Sequence, residues 1–133
     1  MSDRLFIYGT LLDGHQPPEM KELCRRLRRV AGGTVRGFLY DLGPYPAVTI
    51  GGTDRFIRGE LVEIDSDQTW DALDRYEGCP RVGEGDGLYS RVRTTATLET
   101  GESVDCWIYV YNRDLSSAKV IESGCWRTHR GLL

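Results

Sequence analysis

Two apolar sets alternate over Leu5-Phe6-Ile7-Tyr8, Phe6 and Tyr8 against Leu5 and Ile7, and this predicts a half-buried strand that ends at Gly9. Leu12-Asp13-Gly14 then reads as a turn. The period changes to that of a helix after Pro17-Pro18, which suits a first helical turn, and Met20, Leu23, Cys24, Leu27 and Val30 make its apolar stripe. Ala31-Gly32-Gly33 ends that helix. Strands are predicted over 34–40, 47–50 and 56–64, with Gly51-Gly52 as a hairpin turn and Gly59 at a bulge or a close backbone approach. A second helix starts at Asp65 or Ser66, both good N-caps, with Gln68 placed to close a capping box on Asp65. It buries Trp70, Leu73 and Tyr76 and stops at Gly78.

Residues 81–87 hold three glycines and read as a loop. Two strands follow, 88–99 and 103–111, joined around Thr100-Gly101-Glu102. In the second, Val104, Cys106, Ile108 and Val110 face one way and Trp107, Tyr109 and Tyr111 the other, so both faces are apolar and the strand belongs in the middle of a sheet. Six or seven strands and two helices in so short a chain predict an α+β fold: a curled sheet or small mixed β-barrel with two packed helices, as a single domain over 1–133.

Composition narrows the function classes. The chain has 133 residues, 40% of them hydrophobic, and a net charge of −3, which is ordinary for a globular domain and argues against nucleic-acid binding. Arg25, Arg26, Arg28 and Arg29 cluster on the first predicted helix; a solvated face complementing the helix C-terminus is the favoured reading over an anion patch. No apolar run approaches membrane-spanning length, and Met-Ser-Asp-Arg leads straight into a strand, so a cytoplasmic protein is expected. Four cysteines (Cys24, Cys79, Cys106, Cys125) without a C-x-x-C pair, and two histidines (His15, His129), make a zinc site unexpected. Reduced thiols are expected in place of disulfides, with Cys24 and Cys106 as small core residues.

Two stretches carry candidate chemistry. Gly9 has no Cβ, so backbone N–H groups at Gly9-Thr10-Leu11 can approach a carboxylate or an oxyanion. A strand ending in an ordinary turn explains the same residues. Glu77 falls in the last turn of the second helix, where the helix dipole and desolvation by Tyr76 would raise its pKa toward that of a general base. A surface glutamate, or one paired with Arg75 or Arg81, is the competing explanation.

Taken in order, several short motifs are similar to those of the gamma-glutamylcyclotransferase family, in its small branch that includes gamma-glutamylamine cyclotransferases. Tyr8-Gly9-Thr10-Leu11 resembles its Tyr-Gly-Thr/Ser-Leu strand end, and Gly43-Pro44-Tyr45-Pro46-Ala47 its Gly-x-Tyr-Pro-Ala turn. Gly59-Glu60-Leu61-Val62-Glu63-Ile64 and Leu73-Asp74-Arg75-Tyr76-Glu77-Gly78 resemble its Gly-Glu-Leu-x-x-Ile strand and Leu-Asp-x-Tyr-Glu-Gly helix end. Tyr89-Ser90-Arg91, Trp107-Ile108-Tyr109-Val110-Tyr111 and Ile121-Glu122-Ser123-Gly124-Cys125-Trp126 follow, the last with Cys125 where the family often has Asp.

The resemblance implies an intramolecular reaction without metal, cofactor or covalent enzyme intermediate. The substrate's α-amine attacks its own gamma-carbonyl, a 5-oxoproline ring closes, and an amine or amino acid leaves. It implies Glu77 as general acid/base and Tyr8, Gly9, Thr10 and Leu11 as the substrate cradle, with Tyr45 and Tyr89 as further pocket residues. For these tyrosines a core or rim aromatic is an equal reading. A surface role is preferred for Arg91 over binding of the α-carboxylate, and for His15 over substrate contact. The expected partner is a small gamma-glutamyl compound, with no nucleic acid and no membrane, for a monomer or weak homo-oligomer. The alternative is a non-catalytic small-molecule binding module of the same fold.

Overall fold

A strand that is apolar on both faces has to be covered on both sides, and this sets the architecture. The computed structural model describes residues 3–9, 21–43, 45–76 and 87–131. Their order is β1 (Asp3–Ile7), α1 (Lys21–Cys24), β2 (Arg28–Asp41), β3 (Pro46–Ile50), β4 (Phe56–Ile64), α2 (Asp67–Tyr76), β5 (Tyr89–Leu98), β6 (Ser103–Tyr111), β7 (Lys119–Val120) and α3 (Trp126–His129). Strand β1 pairs antiparallel with β4 and parallel with β6, Leu5 lying opposite Trp107. Strand β6 pairs with β5, β5 with β2 at Gly33 and Thr34, and β2 with β4. These five strands close on themselves into a barrel. The far half of β2 carries β3 and β7. The fold is therefore α+β, a mixed β-barrel with helices packed on it, as expected.

One core fills the barrel and another covers its outer wall. Phe6, Val35, Ile57, Leu61, Ala96, Cys106 and Ile108 point inward and are all but sealed from solvent. Leu5, Ile7, Val62 and Ile64 point outward and meet Trp70 and Leu73 of α2, together with Tyr89 and Tyr109. Burying each aliphatic or aromatic side chain contributes about 1.5–3 kcal/mol, so the strands shared by both cores hold the two layers together. Strand β1 is thus buried on both faces, not on one, and β6 lies between β1 and β5 as its two apolar faces require. Burial pushes the Cys106 thiol up to about 11, so it behaves as a small core residue, and Cys24 is half-buried beside the outer core. Cys106 and Cys125 are free thiols; Cys79 lies outside the described residues.

The helices differ from expectation in three ways. The first described helix is a single turn, and Arg28, Arg29 and Val30 belong to β2. Arg28 and Arg29 gain cross-strand partners on β4, Glu63 and Val62, while Val30 falls at the irregularity before Ala31 and is exposed. The four arginines therefore share no helix face. Arg25 pairs with Glu22 on α1, Arg28 with Glu63 (2.9 Å) and Arg29 with the buried Glu60. At α2, Ser66 is the cap: its Oγ accepts the Thr69 N–H (3.3 Å), while the Thr69 hydroxyl donates to Asp65 (3.1 Å), so the box on Gln68 is not the device used. A third helix, α3, was not expected. Cys125 occupies its N-cap position without a side-chain cap hydrogen bond. Strands β3 and β4, on either side of Gly51-Gly52, both pair with β2 in place of a hairpin with each other.

Helix α3 docks on the turn between β2 and β3. His129 Nε2 lies 2.7 Å from Asp41, the Arg130 guanidinium donates to the Gly43 carbonyl (2.8 Å), and Arg127 reaches Glu60 (3.3 Å). Gly124 turns the chain with φ +66° directly over the Phe56 carbonyl, where a Cβ has no room. The hydrogen bond from His129, then that from the Gly43 N–H, holds the Asp41 carboxyl below the usual carboxylate range. A carboxyl with a lowered folded-state pKa stabilises the fold above its unfolded pKa and loses that contribution as pH falls through the folded one. The stability difference between wild type and Asp41→Asn, read from urea midpoints, is expected to be fully present above about pH 4 and to shrink below it.

Gly59 marks the closest approach of β4 to β1. A Cβ there would strike the Ile7 carbonyl oxygen and stand 2.8 Å from the Phe6 ring. Both neighbours are core groups with no room to withdraw. Gly59→Ala is expected to cost about 1–3 kcal/mol in chemical denaturation with the fold retained.

Candidate active site

Four elements end together at one rim of the barrel. Strand β1 runs out through Tyr8 and Gly9, β3 begins at Pro46, β5 begins at Tyr89, and the last turn of α2 lies over the wall beside them. Tyr8 is buried, and its hydroxyl donates to the Tyr109 carbonyl (2.6 Å). Gly9 is also buried, and a Cβ on it would stand 2.6 Å from Pro46 Cγ, so the strand end approaches the β3 turn as only glycine allows. Tyr89 is 4% exposed and donates to the Pro46 carbonyl (2.8 Å). It meets Tyr111 edge-on at 5.3 Å.

Of the residues singled out from sequence, the structure therefore gathers Tyr8, Gly9 and Tyr89 around Pro46. Tyr45 sits at the outer edge, 37% exposed, its carbonyl accepting the Leu42 N–H (3.1 Å) in the turn formed with Gly43. Glu77, Thr10, Leu11 and His15 lie outside the described residues, as does the segment 81–86. Glu77 follows Tyr76, the last described residue of α2.

The turn of α2 that leads to Glu77 is tied down by groups that sequence reasoning passed over. Asp74 Oδ1 accepts the Tyr109 hydroxyl (2.6 Å) and lies 3.4 Å from Arg91 Nε. The Arg91 guanidinium stacks 4.1 Å from the Trp70 ring centroid and 5.0 Å from that of Trp107. Arg91 is thus more than a plain surface arginine: Asp74 and two indoles engage it. No group of acidic, histidine or cysteine side chains among the described residues is arranged to hold a metal ion, and no described helix is long and apolar enough to cross a membrane.

A family model described as gamma-glutamyl cyclotransferase, AIG2-like, matches residues 5–128. The chain belongs to this family. Its fold recurs in solved structures. YkqA from Bacillus subtilis superposes with a TM-score of 0.73 at 23% identity; the match covers 98% of this chain but 41% of YkqA, so the chain spans about two fifths of that protein. An AIG2-like protein from Mus musculus also gives 0.73 at 23% identity, covering 92% of this chain and 87% of the mouse protein. A structure described as gamma-glutamyl cyclotransferase gives 0.63 at 14% identity, covering 90% and 70%. At these identities the likeness is one of fold. No curated protein sequence matches the chain.

The Tyr89 hydroxyl fastens β5 to the first residue of β3. Tyr89→Phe leaves the ring in place and deprives the Pro46 carbonyl of this donor. A stability loss of about 1–2 kcal/mol is expected in urea denaturation, accompanied by faster amide exchange in the Tyr45–Ala47 turn.

Proposed function

We propose that this member of the gamma-glutamyl cyclotransferase family releases 5-oxoproline from a small gamma-glutamyl compound, with Glu77 as general acid/base and the strand end Tyr8-Gly9-Thr10-Leu11 as the substrate cradle. The observation that supports the reading is that one residue at the barrel rim, Tyr109, holds both the end of β1 and the last turn of α2. Tyr109 touches both: its carbonyl holds Tyr8 and its hydroxyl holds Asp74.

The chemistry asked of such a rim is modest. The substrate's α-ammonium first gives up a proton, which Glu77 accepts. The free amine attacks the gamma-carbonyl carbon of the same molecule, a C–N bond forms, and the carbonyl oxygen takes up negative charge. Backbone N–H groups at the strand end would stabilise that oxygen. As the intermediate collapses, the bond to the departing nitrogen breaks, Glu77 returns the proton to it, and the ring nitrogen gives up its second proton to solvent, from which the released amine is protonated. The products are 5-oxoproline and an amine or amino acid. Nucleophile and electrophile belong to one molecule, so holding the substrate bent supplies much of the rate. Tyr45 and Tyr89 would border the cradle. The reading carries with it a cytoplasmic setting and no nucleic-acid partner.

The test is a 5-oxoproline release assay on a panel of gamma-glutamylamines, gamma-glutamyl amino acids and glutathione. Wild type is expected to turn over at least one of them, and Glu77→Gln to lose about 10²- to 10⁴-fold in kcat. Full turnover by the variant would remove Glu77 from its role. No release from any substrate, with ligand-induced stabilisation, would point to a binding module instead.

A further inference from the structure

We propose that the outer face of β2 and β4 around Arg36, Phe56 and Arg58 is a docking surface for an extended acidic segment of a partner protein, whose carboxylates at alternate positions pair with Arg36 and Arg58. The surface is independent of the proposed reaction. Alternation puts Arg36 and Phe38 of β2 outside, since Val35 and Leu39 fill the barrel. Phe56 and Arg58 of β4 lie outside for the same reason, with Ile57 and Leu61 within. Arg36 and Phe56 are direct cross-strand partners, and the Phe56 ring is 48% exposed.

One unit occurs twice on this face, and one copy is already filled. The Arg55 guanidinium stacks 5.8 Å from the Phe38 ring centroid and pairs with Glu122 (2.6 Å). The Arg36 guanidinium stacks 5.8 Å from the Phe56 centroid, and neither it nor the exposed Arg58 pairs with a carboxylate among the described residues. Stacking uses the flat face of a guanidinium and leaves its N–H edge available, which can donate two parallel hydrogen bonds to a carboxylate. The ring also steadies a long side chain before a partner arrives, so less entropy is lost on binding. Arg36 and Arg58 are diagonal neighbours on adjacent antiparallel strands, about 7–8 Å apart at the backbone. Same-side residues of an extended chain repeat at about 6.6–6.8 Å, and this match selects carboxylates at alternate positions.

Charge complementarity selects the occupant. Two cations without carboxylate partners stand side by side on a chain whose net charge is −3. Glu60, the next carboxylate along the outer face of β4, is engaged by Arg29 and Arg127. A nucleic-acid strand fits less well, because base stacking needs a bare ring and a guanidinium already stacks on each phenylalanine.

The test uses the full chain with two short dye-labelled peptides, one alternating glutamate with serine and the other lysine with serine. Binding is read by fluorescence anisotropy at low salt and by amide chemical-shift mapping. The glutamate peptide is expected to bind and the lysine peptide not, with shifts centred on residues 34–38 and 55–58. The double variant Arg36→Gln, Arg58→Gln is expected to weaken binding about 5- to 30-fold, and Phe56→Ala, which releases the Arg36 side chain, about 2- to 5-fold. Arg25→Gln, at an exposed arginine on α1, is expected to bind as wild type does. All these side chains are exposed, and thermal denaturation verifies that each variant is folded; the double variant Arg36→Lys, Arg58→Lys gives a second reading, with an intermediate loss. Absence of binding by the glutamate peptide, or an equal loss in Arg25→Gln, overturns the proposal. Tighter binding of a single-stranded oligothymidylate at the same residues assigns the face to nucleic acid and overturns it. Concentration-dependent shifts of these residues in the protein alone assign the face to a second copy of the chain, which overturns it as well.

Discussion

The structure depends on burying β1 on both of its faces. Phe6 and Tyr8 go into the barrel, and Leu5 and Ile7 go under α2, so a five-residue strand is shared by two cores. Everything else at the rim follows from that position. Because β1 is wedged between β4 and β6, its end emerges at a fixed place, and the close approach at Gly59 leaves no slack in register against β4. A strand buried on one face only could shift or tilt with little penalty.

The two cores also divide the work. The inner core closes the barrel and makes its shape insensitive to what is attached outside. The outer core seats α2, whose buried stripe is short and whose direction is set by polar groups at each end. Ser66 and Asp65 fix its start through Thr69, and Asp74 fixes its finish through Tyr109 and Arg91. The C-terminal part is fastened by different means: Arg127 to Glu60, His129 to Asp41, and a glycine turn at Gly124.

Period and composition sufficed for the strands with clear alternation. Residues 56–64 and 103–111 form the strands predicted over them, and the double-sided pattern of the latter placed it inside the sheet. The stripe Trp70, Leu73 and Tyr76 likewise identified α2 and its buried face. The motifs in order placed the chain near a known family, and a family match over residues 5–128 agrees with them.

What the sequence could not decide were the outcomes of competition between distant segments. The stripe from Met20 to Val30 favours a helix locally, but Arg28 and Arg29 pair with Glu63 and Val62 of β4, and the strand wins. Closure of the barrel rests on two residue pairs between β2 and β5, which no local pattern announces. The role of Tyr109 was hidden for the same reason: its period marks an outward-facing aromatic, while its hydroxyl and carbonyl find Asp74 and Tyr8, 35 and 101 positions away. Side-chain type and spacing determine which groups are present and which face they share. Only the closed sheet determines which of them come within hydrogen-bonding distance, because that distance is set by the register of strands remote in sequence.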